Sequence, residues 1–171
     1  FILPDRGQVC INGKIVKGPG PDRTVIFQED ALFPWLTLRA NIEFGPSCRG
    51  NKINMEEIEK YISLVGLSGF EEFYPSQLSG GMKQRVALAR ALIQKADILL
   101  LDEPFSSIDA QTRENMQELL LEIHRVFSMS MVFVTHDIEE AVFLSDRILV
   151  MSKIPAHFRE EIYVSLPHPH K

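Results

Sequence analysis

An α/β fold, with helices flanking a mostly parallel sheet, is predicted by three features of the sequence. Ile98-Leu99-Leu100-Leu101 and Met131-Val132-Phe133-Val134 are short runs that are apolar at every position. That is the pattern of strands covered on both faces, as in a parallel sheet. The stretch between them, 104–130, holds one long amphipathic segment, which suits the helical crossover that parallel neighbours require. Finally, the first run ends in Asp102-Glu103 and the second in Thr135-His136. Parallel pairing would deliver two carboxylates and an imidazole to one carboxyl edge, where open α/β sheets bind ligands.

Composition narrows the class. The 171 residues are 45% hydrophobic and 24% charged, proportions that exclude collagen-like, disordered and disulfide-scaffold chains. A chain of this length can bury one core of domain size. Lys and Arg number 18 against 23 Asp and Glu, a formal net charge of -5. The basic excess of a nucleic-acid binder and the polybasic stretch of a membrane-surface segment are both missing, so no nucleic-acid partner is expected. Any anionic ligand must be held by local geometry. Cys10 and Cys48 are too few for a four-ligand zinc site and read as reduced cytosolic thiols. No apolar run approaches the ~20 residues of a membrane-spanning helix. Phe1 to Arg6 lacks the basic start and apolar core of a signal peptide, and a start on Phe1 reads as a piece of a longer chain.

Taken in order, Gly7 to Val16 is expected to form two short strands around Asn12-Gly13, a favoured type I′ hairpin dipeptide. Gly18-Pro19-Gly20-Pro21-Asp22 is a break, followed by a strand over Thr24–Phe27. An irregular stretch from Gln28 to Thr37 holds Phe33, Pro34 and Trp35. Helices are expected over 38–44 and 55–65, the second with Ile58, Ile62 and Val65 on one face. A stronger helix runs from Gly80 to Gln94, with Met82, Val86, Ala89 and Ile93 in register. The strand at Ile98 follows, then the helix from Ala110 to Phe127, whose stripe is Met116, Leu119, Leu120, Ile123 and Phe127. The strand at Met131, a helix over 138–144 and strands over 147–151 and 160–166 complete the pattern.

Several residues can do chemistry. Asp102 and Glu103 emerge abruptly from an apolar strand. One could hold a magnesium ion, which takes one or two carboxylates plus substrate phosphates, while the other faces an attacking water. The bland alternative is that Asp102 caps the next helix and Glu103 is solvated. His136, expected beside Glu103, could contact a phosphate oxygen or be a satisfied edge histidine. Ser79-Gly80-Gly81 opens a helix whose free N–H groups and dipole favour an anion, although a simple Ser N-cap explains the same residues. Gln28, after a strand, could reach a metal or water. The apolar segment Ala31 to Trp35 could cover the core or receive a partner.

Gln28, Leu78-Ser79-Gly80-Gly81-Met82-Lys83-Gln84-Arg85, Ile98 to Pro104, Ser107-Ile108-Asp109 and Val134-Thr135-His136-Asp137 occur in the order and spacing of ATP-binding-cassette (ABC) ATPases. In these motifs the whole chain resembles that family. Gly80-Gly81-Met82, Asp109-Ala110-Gln111-Thr112-Arg113 and Leu166-Pro167 are similar to its nitrate, sulfonate and taurine importer branch. The resemblance implies a P-loop NTPase-like core over 1–34 and 95–171, with a helical subdomain carrying the signature segment over 35–94. It implies ATP and Mg2+ as ligands and two subunits facing head to tail across the nucleotides. Ser79, Gly80 and Gly81 would touch ATP bound mainly by the partner. Gln28 would sense the γ-phosphate and magnesium, Asp102 would hold magnesium, Glu103 would be the general base, and His136 would steady the γ-phosphate. Asp109 would link the two sites. The loop around Phe33 and Trp35 would receive a permease subunit at the cytoplasmic face of the membrane, with a solute-binding protein engaged indirectly.

The family's phosphate cradle, G-x-x-x-x-G-K-[ST], does not occur in the sequence. Gly7 to Gly13-Lys14 has the wrong spacing, and Ile15 stands where the hydroxyl should be. Family order puts the cradle, with its strand and helix and the aromatic that stacks on adenine, upstream of Gly7. Two expectations follow: an importer ATPase subunit recorded without its P-loop, or a catalytically inactive remnant that at most binds partners. As given, the chain is expected to be inactive alone. An ABC-type DNA-repair ATPase fits less well, because no sustained heptads occur. His168 and His170, between prolines, read as a solvated tail.

Overall fold

The computed structural model describes residues 4–50, 54–127 and 129–165; Leu166-Pro167, His168 and His170 lie outside them. β1 (Cys10–Ile11) and β2 (Lys14–Ile15) pair antiparallel, and the two turn residues Asn12 and Gly13 have φ of 49° and 76°. Positive φ at both positions is what a type I′ turn requires, so the Asn-Gly dipeptide dictates the hairpin. β3 (Arg23–Ile26) follows the Gly/Pro break.

Each helix starts on a side chain that accepts a backbone N–H, a contact worth about 1 kcal/mol. Thr37 caps α1 (Leu38–Cys48) and Asn54 caps α2 (Met55–Leu64), whose first turn carries Glu56 and Glu57 at the positive end of the helix dipole. α1 runs beyond the expected stop at 44 and takes in Pro46, which is buried. Proline removes only its own N–H, and the helix ends two residues later. A 3₁₀ turn over Pro75–Gln77 leads to Ser79, which caps α3 (Gly80–Leu92).

β4 (Ile98–Asp102) follows, then α4 (Ala110–Val126), β5 (Ser130–Val134), α5 (Ile138–Leu144), β6 (Arg147–Met151) and β7 (Phe158–Tyr163). β3, β4 and β5 form one parallel sheet in that order, with the expected helical crossover, α4, joining β4 to β5. β6 and β7 form a separate antiparallel hairpin with an irregularity at Val150/Met151, and β7 begins and ends earlier than its sequence pattern implied.

The core lies on one face of the parallel sheet. Leu99 and Leu101 are buried, and their register partners Met131 and Phe133 pack against the same cluster. Helices α1, α2, α3 and α4 close that cluster with Ile42, Ile62, Val86, Leu92 and Ile123, all essentially inaccessible. Phe105, just after β4, is buried with its ring 5.6 Å from Phe133.

The expectation that both apolar runs are covered on both faces requires correction for β5. Val132 is 51% exposed and Val134 53%, because alternate side chains of β5 point to the sheet face opposite the helical layer. A run that is apolar at every position therefore does not establish that both faces of the strand are packed. No helix among the described residues is long and apolar enough to cross a membrane.

The one-sided core generates a paired prediction. Leu99→Ala should destabilise the fold by about 2–5 kcal/mol, the usual result of deleting a fully buried Leu side chain. Val132→Ala, on the open face, should change stability by less than about 0.5 kcal/mol. Urea unfolding followed by circular dichroism measures both; equal losses would mean that the faces are packed alike.

Candidate functional site

The parallel register aligns the strand ends. Ile26 pairs with Leu101, and Leu101 pairs with Phe133. Two residues beyond each lie Gln28, Glu103 and Thr135, so the turns leaving β3, β4 and β5 share the carboxyl edge. Asp102 is the last residue of β4 and is exposed there, paired with Val134. Asp109, not Asp102, caps the following helix α4.

Glu103 continues the ladder for one more bond, its N–H donating to the Val134 carbonyl at 2.9 Å. It then turns sharply, with φ of 43°, a left-handed conformation uncommon for a residue with a side chain. The Glu103 carbonyl accepts from both the N–H and the hydroxyl of Ser106, at 3.2 and 3.0 Å, which holds the turn. Its carboxylate meets His136, with Oε2 3.3 Å from Nδ1. The acid and imidazole therefore do share one rim, and His136 remains largely exposed.

His136 is held by its neighbours. The Thr135 hydroxyl donates to Glu140 Oε2 at 2.7 Å and accepts the Asp137 N–H at 3.0 Å. Asp137 caps α5 by accepting from the N–H groups of Glu139 and Glu140. Glu140 is only 6% exposed, and Arg113 of α4 approaches it at 3.8 Å and Asp137 at 3.6 Å. Sequence reasoning placed Thr135 and Arg113 in motifs without giving either a role, and missed Glu140. The available signal was the Asp137–Glu140 spacing of a capping box, in which the N3 acid reaches back to the N-cap. Here Glu140 reaches the Asp137 N–H through the hydroxyl of Thr135.

Ser79, Gly80 and Gly81 form a second group, at the start of α3. Ser79 Oγ accepts from Met82 N–H at 3.3 Å, which accounts for the serine as a cap. Gly80 faces open space. Gly81 is buried, and a Cβ there would lie 2.4 Å from Thr112 Cγ2 on α4. The second glycine thus lets α3 approach α4 without displacing the Thr112 methyl, whatever else it serves. Thr112 in turn binds Asp109, its N–H and hydroxyl donating to the carboxylate at 3.0 and 2.7 Å. These two bonds from Thr112 hold the Asp109 carboxyl below its ordinary pKa. Among the described residues, no hydrogen bond or ion pair joins this group to Glu103 or His136.

The loop after Gln28 is braced by a buried amide. Asn41 of α1 is inaccessible, with Oδ1 accepting from Phe33 N–H at 2.9 Å and Nδ2 donating to the carbonyls of Phe33, Leu36 and Thr37 at 3.0–3.1 Å. This residue was also missed; its signal was an amide on the apolar stripe between Leu38 and Ile42. The Phe33 ring packs between Phe44 and Trp35, at centroid distances of 4.3 and 5.6 Å, and Trp35 is 69% exposed. A groove of about 720 Å³ lies between α4 and α5, lined in part by Arg113, Asp137 and Glu140 behind His136. The carboxyl edge is an open rim.

Metal-binding chemistry at that rim is limited. Among the described residues, no cluster of three or more His, Cys, Asp or Glu side chains could enclose an ion. Asp102 and the amide of Gln28 supply isolated oxygen donors, the set expected where a hard cation takes its remaining oxygens from water and phosphate.

Comparison with known proteins bears on the family and the fold. The family described as ABC transporter matches residues 1–106. The chain is 47% identical over 168 residues to an uncharacterised ABC transporter ATP-binding protein of Methanocaldococcus jannaschii, covering 97% of this chain and 63% of the relative. It is 45% identical over 166 residues to a nitrate import ATP-binding protein of Synechocystis sp., covering 96% and 62%. It is likewise 45% identical over 163 residues to an aliphatic sulfonates import ATP-binding protein of Bacillus cereus, covering 95% and 64%. The chain thus spans less than two thirds of the length of these relatives. Among solved structures, an ATP-binding cassette in a dimeric, post-hydrolysis state bound to ADP and Pi superposes with a TM-score of 0.78 at 28% identity, covering 94% of this chain and 75% of that one.

Two outcomes are expected at the Gly81–Thr112–Asp109 contact. Gly81→Ala should cost about 1–3 kcal/mol through overpacking. Adding Thr112→Ser, which removes Cγ2 but keeps the hydroxyl, should restore more than half of it. A double-mutant cycle by thermal unfolding reads the coupling, and independent effects would refute the contact. Because the folded Asp109 pKa is depressed, its capping contribution is complete above the ordinary carboxyl value of 3.8 and is lost as pH falls through the folded value. Carboxyl NMR titration should place the Asp109 midpoint below 3.8, and Thr112→Val should raise it.

Proposed function

The chain belongs to the ABC transporter family, and from that premise we propose that it is the ATP-binding and ATP-hydrolysing subunit of an importer. The observation that carries the reading is the 3.3 Å contact of Glu103 and His136 on the edge that also carries Asp102 and Gln28. Residues 1–34 and 95–171 belong to the ATPase core, and 35–94 to the helical subdomain.

Glu103 takes a proton from the water that attacks the γ-phosphorus; the bond to the β-phosphate oxygen breaks, leaving ADP and inorganic phosphate. With His136 Nδ1 turned to Glu103, Nε2 is the ring nitrogen left to contact a γ-phosphate oxygen. The brace through Thr135 and Glu140 orients that ring. Asp102 and Gln28 are the oxygen donors the chain offers to magnesium, which when bound would neutralise phosphate charge. Ser79, Gly80 and Gly81 face a nucleotide held mainly by a second copy, and Asp109 lies between the two sites. The free N–H groups at the start of α3 suit that anion.

Relatives named for nitrate and aliphatic sulfonate import support a small oxyanionic or sulfur-containing solute, of the nitrate, sulfonate or taurine class. The exposed Trp35 face supports docking of a permease subunit at the cytoplasmic side of the membrane, with a solute-binding protein acting through the permease.

In the assembled transporter, Glu103→Gln should lower ATP turnover by about 10²–10⁴, the scale of losing a general base, with nucleotide affinity largely kept. A phosphate-release assay measures it, and near-normal turnover would remove Glu103 from the role.

A further inference from the structure

The loop that leaves the sheet at Gln28 is tied to α3 by two side chains, of which Arg90 lies outside the motifs used so far. Arg90 donates from Nη1 to the Ala31 carbonyl at 2.8 Å and from Nη2 to the Asp30 carbonyl at 3.2 Å. Its guanidinium also lies over the Phe33 ring, 5.8 Å from the centroid. One planar group thus grips two successive carbonyls and the aromatic that packs on Trp35 and Phe44.

The grip falls where the loop needs it. Ala31 has φ of 46°, a left-handed conformation that a residue with a Cβ adopts only when its surroundings impose it. Nearer the start of α3, the amide of Gln84, only 4% exposed, donates to the Gln28 carbonyl at 3.4 Å. Burial lowers the Arg90 pKa while the Asp30 carboxylate opposes that shift, and a guanidinium remains charged throughout.

We propose that Arg90 is a positioning residue that locks residues 30–35, and with them the Trp35 face, to α3, so that the loop and the helix begun by Ser79-Gly80-Gly81 move as one body. The proposal rests on the importer reading only for what the Trp35 face meets; the lock itself is a property of this chain. A rigid tie of this kind would let a displacement at the glycine end of α3 reach the exposed aromatic face without a change in the sheet.

Trp35 is the only tryptophan in the sequence, so its fluorescence reports the loop alone. Time-resolved anisotropy is measured on the full 171-residue chain, on Arg90→Met, which keeps much of the stem but no donor, and on Arg90→Lys. Leu99→Ala serves as a control destabilised in β4, outside the contacts that Arg90 makes. The amplitude of fast local motion at Trp35 should at least double in Arg90→Met. It should take an intermediate value in Arg90→Lys, because one ammonium cannot bridge two carbonyls and lie flat on Phe33. The control should leave it unchanged. An Arg90→Met protein with native circular dichroism and an unaltered Trp35 decay overturns the proposal. If Arg90→Met does not fold, the Lys variant decides in the same way: a faster decay supports the lock and an unaltered one refutes it. No nucleotide or partner enters the measurement, so its failure leaves the ATPase reading intact, and failure of the Glu103 test leaves the lock intact.

Discussion

Because Ile26, Leu101 and Phe133 are neighbours in one parallel register, the chain leaves the sheet at Gln28, Glu103 and Thr135 along a single edge. Everything at the candidate site depends on that alignment. In an antiparallel arrangement alternate strands would end at opposite edges, and Glu103 and His136 would be separated by the length of a strand. The register is enforced by the packed face: sliding β4 by one residue would turn Leu99 and Leu101 out of the core and bring Ile98 and Leu100 in. Packing a few aliphatic side chains thus sets which polar residues meet beyond the strand ends.

Past the edge, regular secondary structure no longer positions anything, and individual polar side chains take over. Asn41 replaces backbone pairing for the loop around Phe33, and Glu140 with Thr135 does so for the segment presenting His136. Both acceptor groups sit in nearly dry surroundings, where an unmatched polar atom is costly and a matched one defines a single geometry. The same economy holds between helices, where Gly81 admits Thr112 and Thr112 binds Asp109. Loops that carry reactive groups are held from behind by buried hydrogen bonds, leaving the reactive atoms on an open rim.

Much of this organisation was legible in the residue order. The Asn12-Gly13 hairpin, the cap at Ser79, the long amphipathic α4 and the two apolar strands all follow from local propensity and periodicity, which act over a few residues. The braces left only faint local marks, the Asp137–Glu140 spacing and an amide on the stripe of α1. Asn41 and Arg90 act on backbone carbonyls of another segment, Thr135 on the Asp137 N–H and Glu140 on the Thr135 hydroxyl, and single amides, hydroxyls and acids carry no periodic signal. The openness of one sheet face could not be read from β5 itself, since an apolar run shows the same residues whether or not a second layer covers them.

The elements, the parallel α/β class and the identity of the residues that leave the strands are written in the residue order, because backbone preference and side-chain alternation are local. That Glu103 and His136 come within 3.3 Å, that Gly81 lies against Thr112, and that β5 leaves Val132 and Val134 in the open emerges on folding. Those outcomes depend on strand register and on how closely two helices approach. Both are settled by packing among residues far apart in the chain.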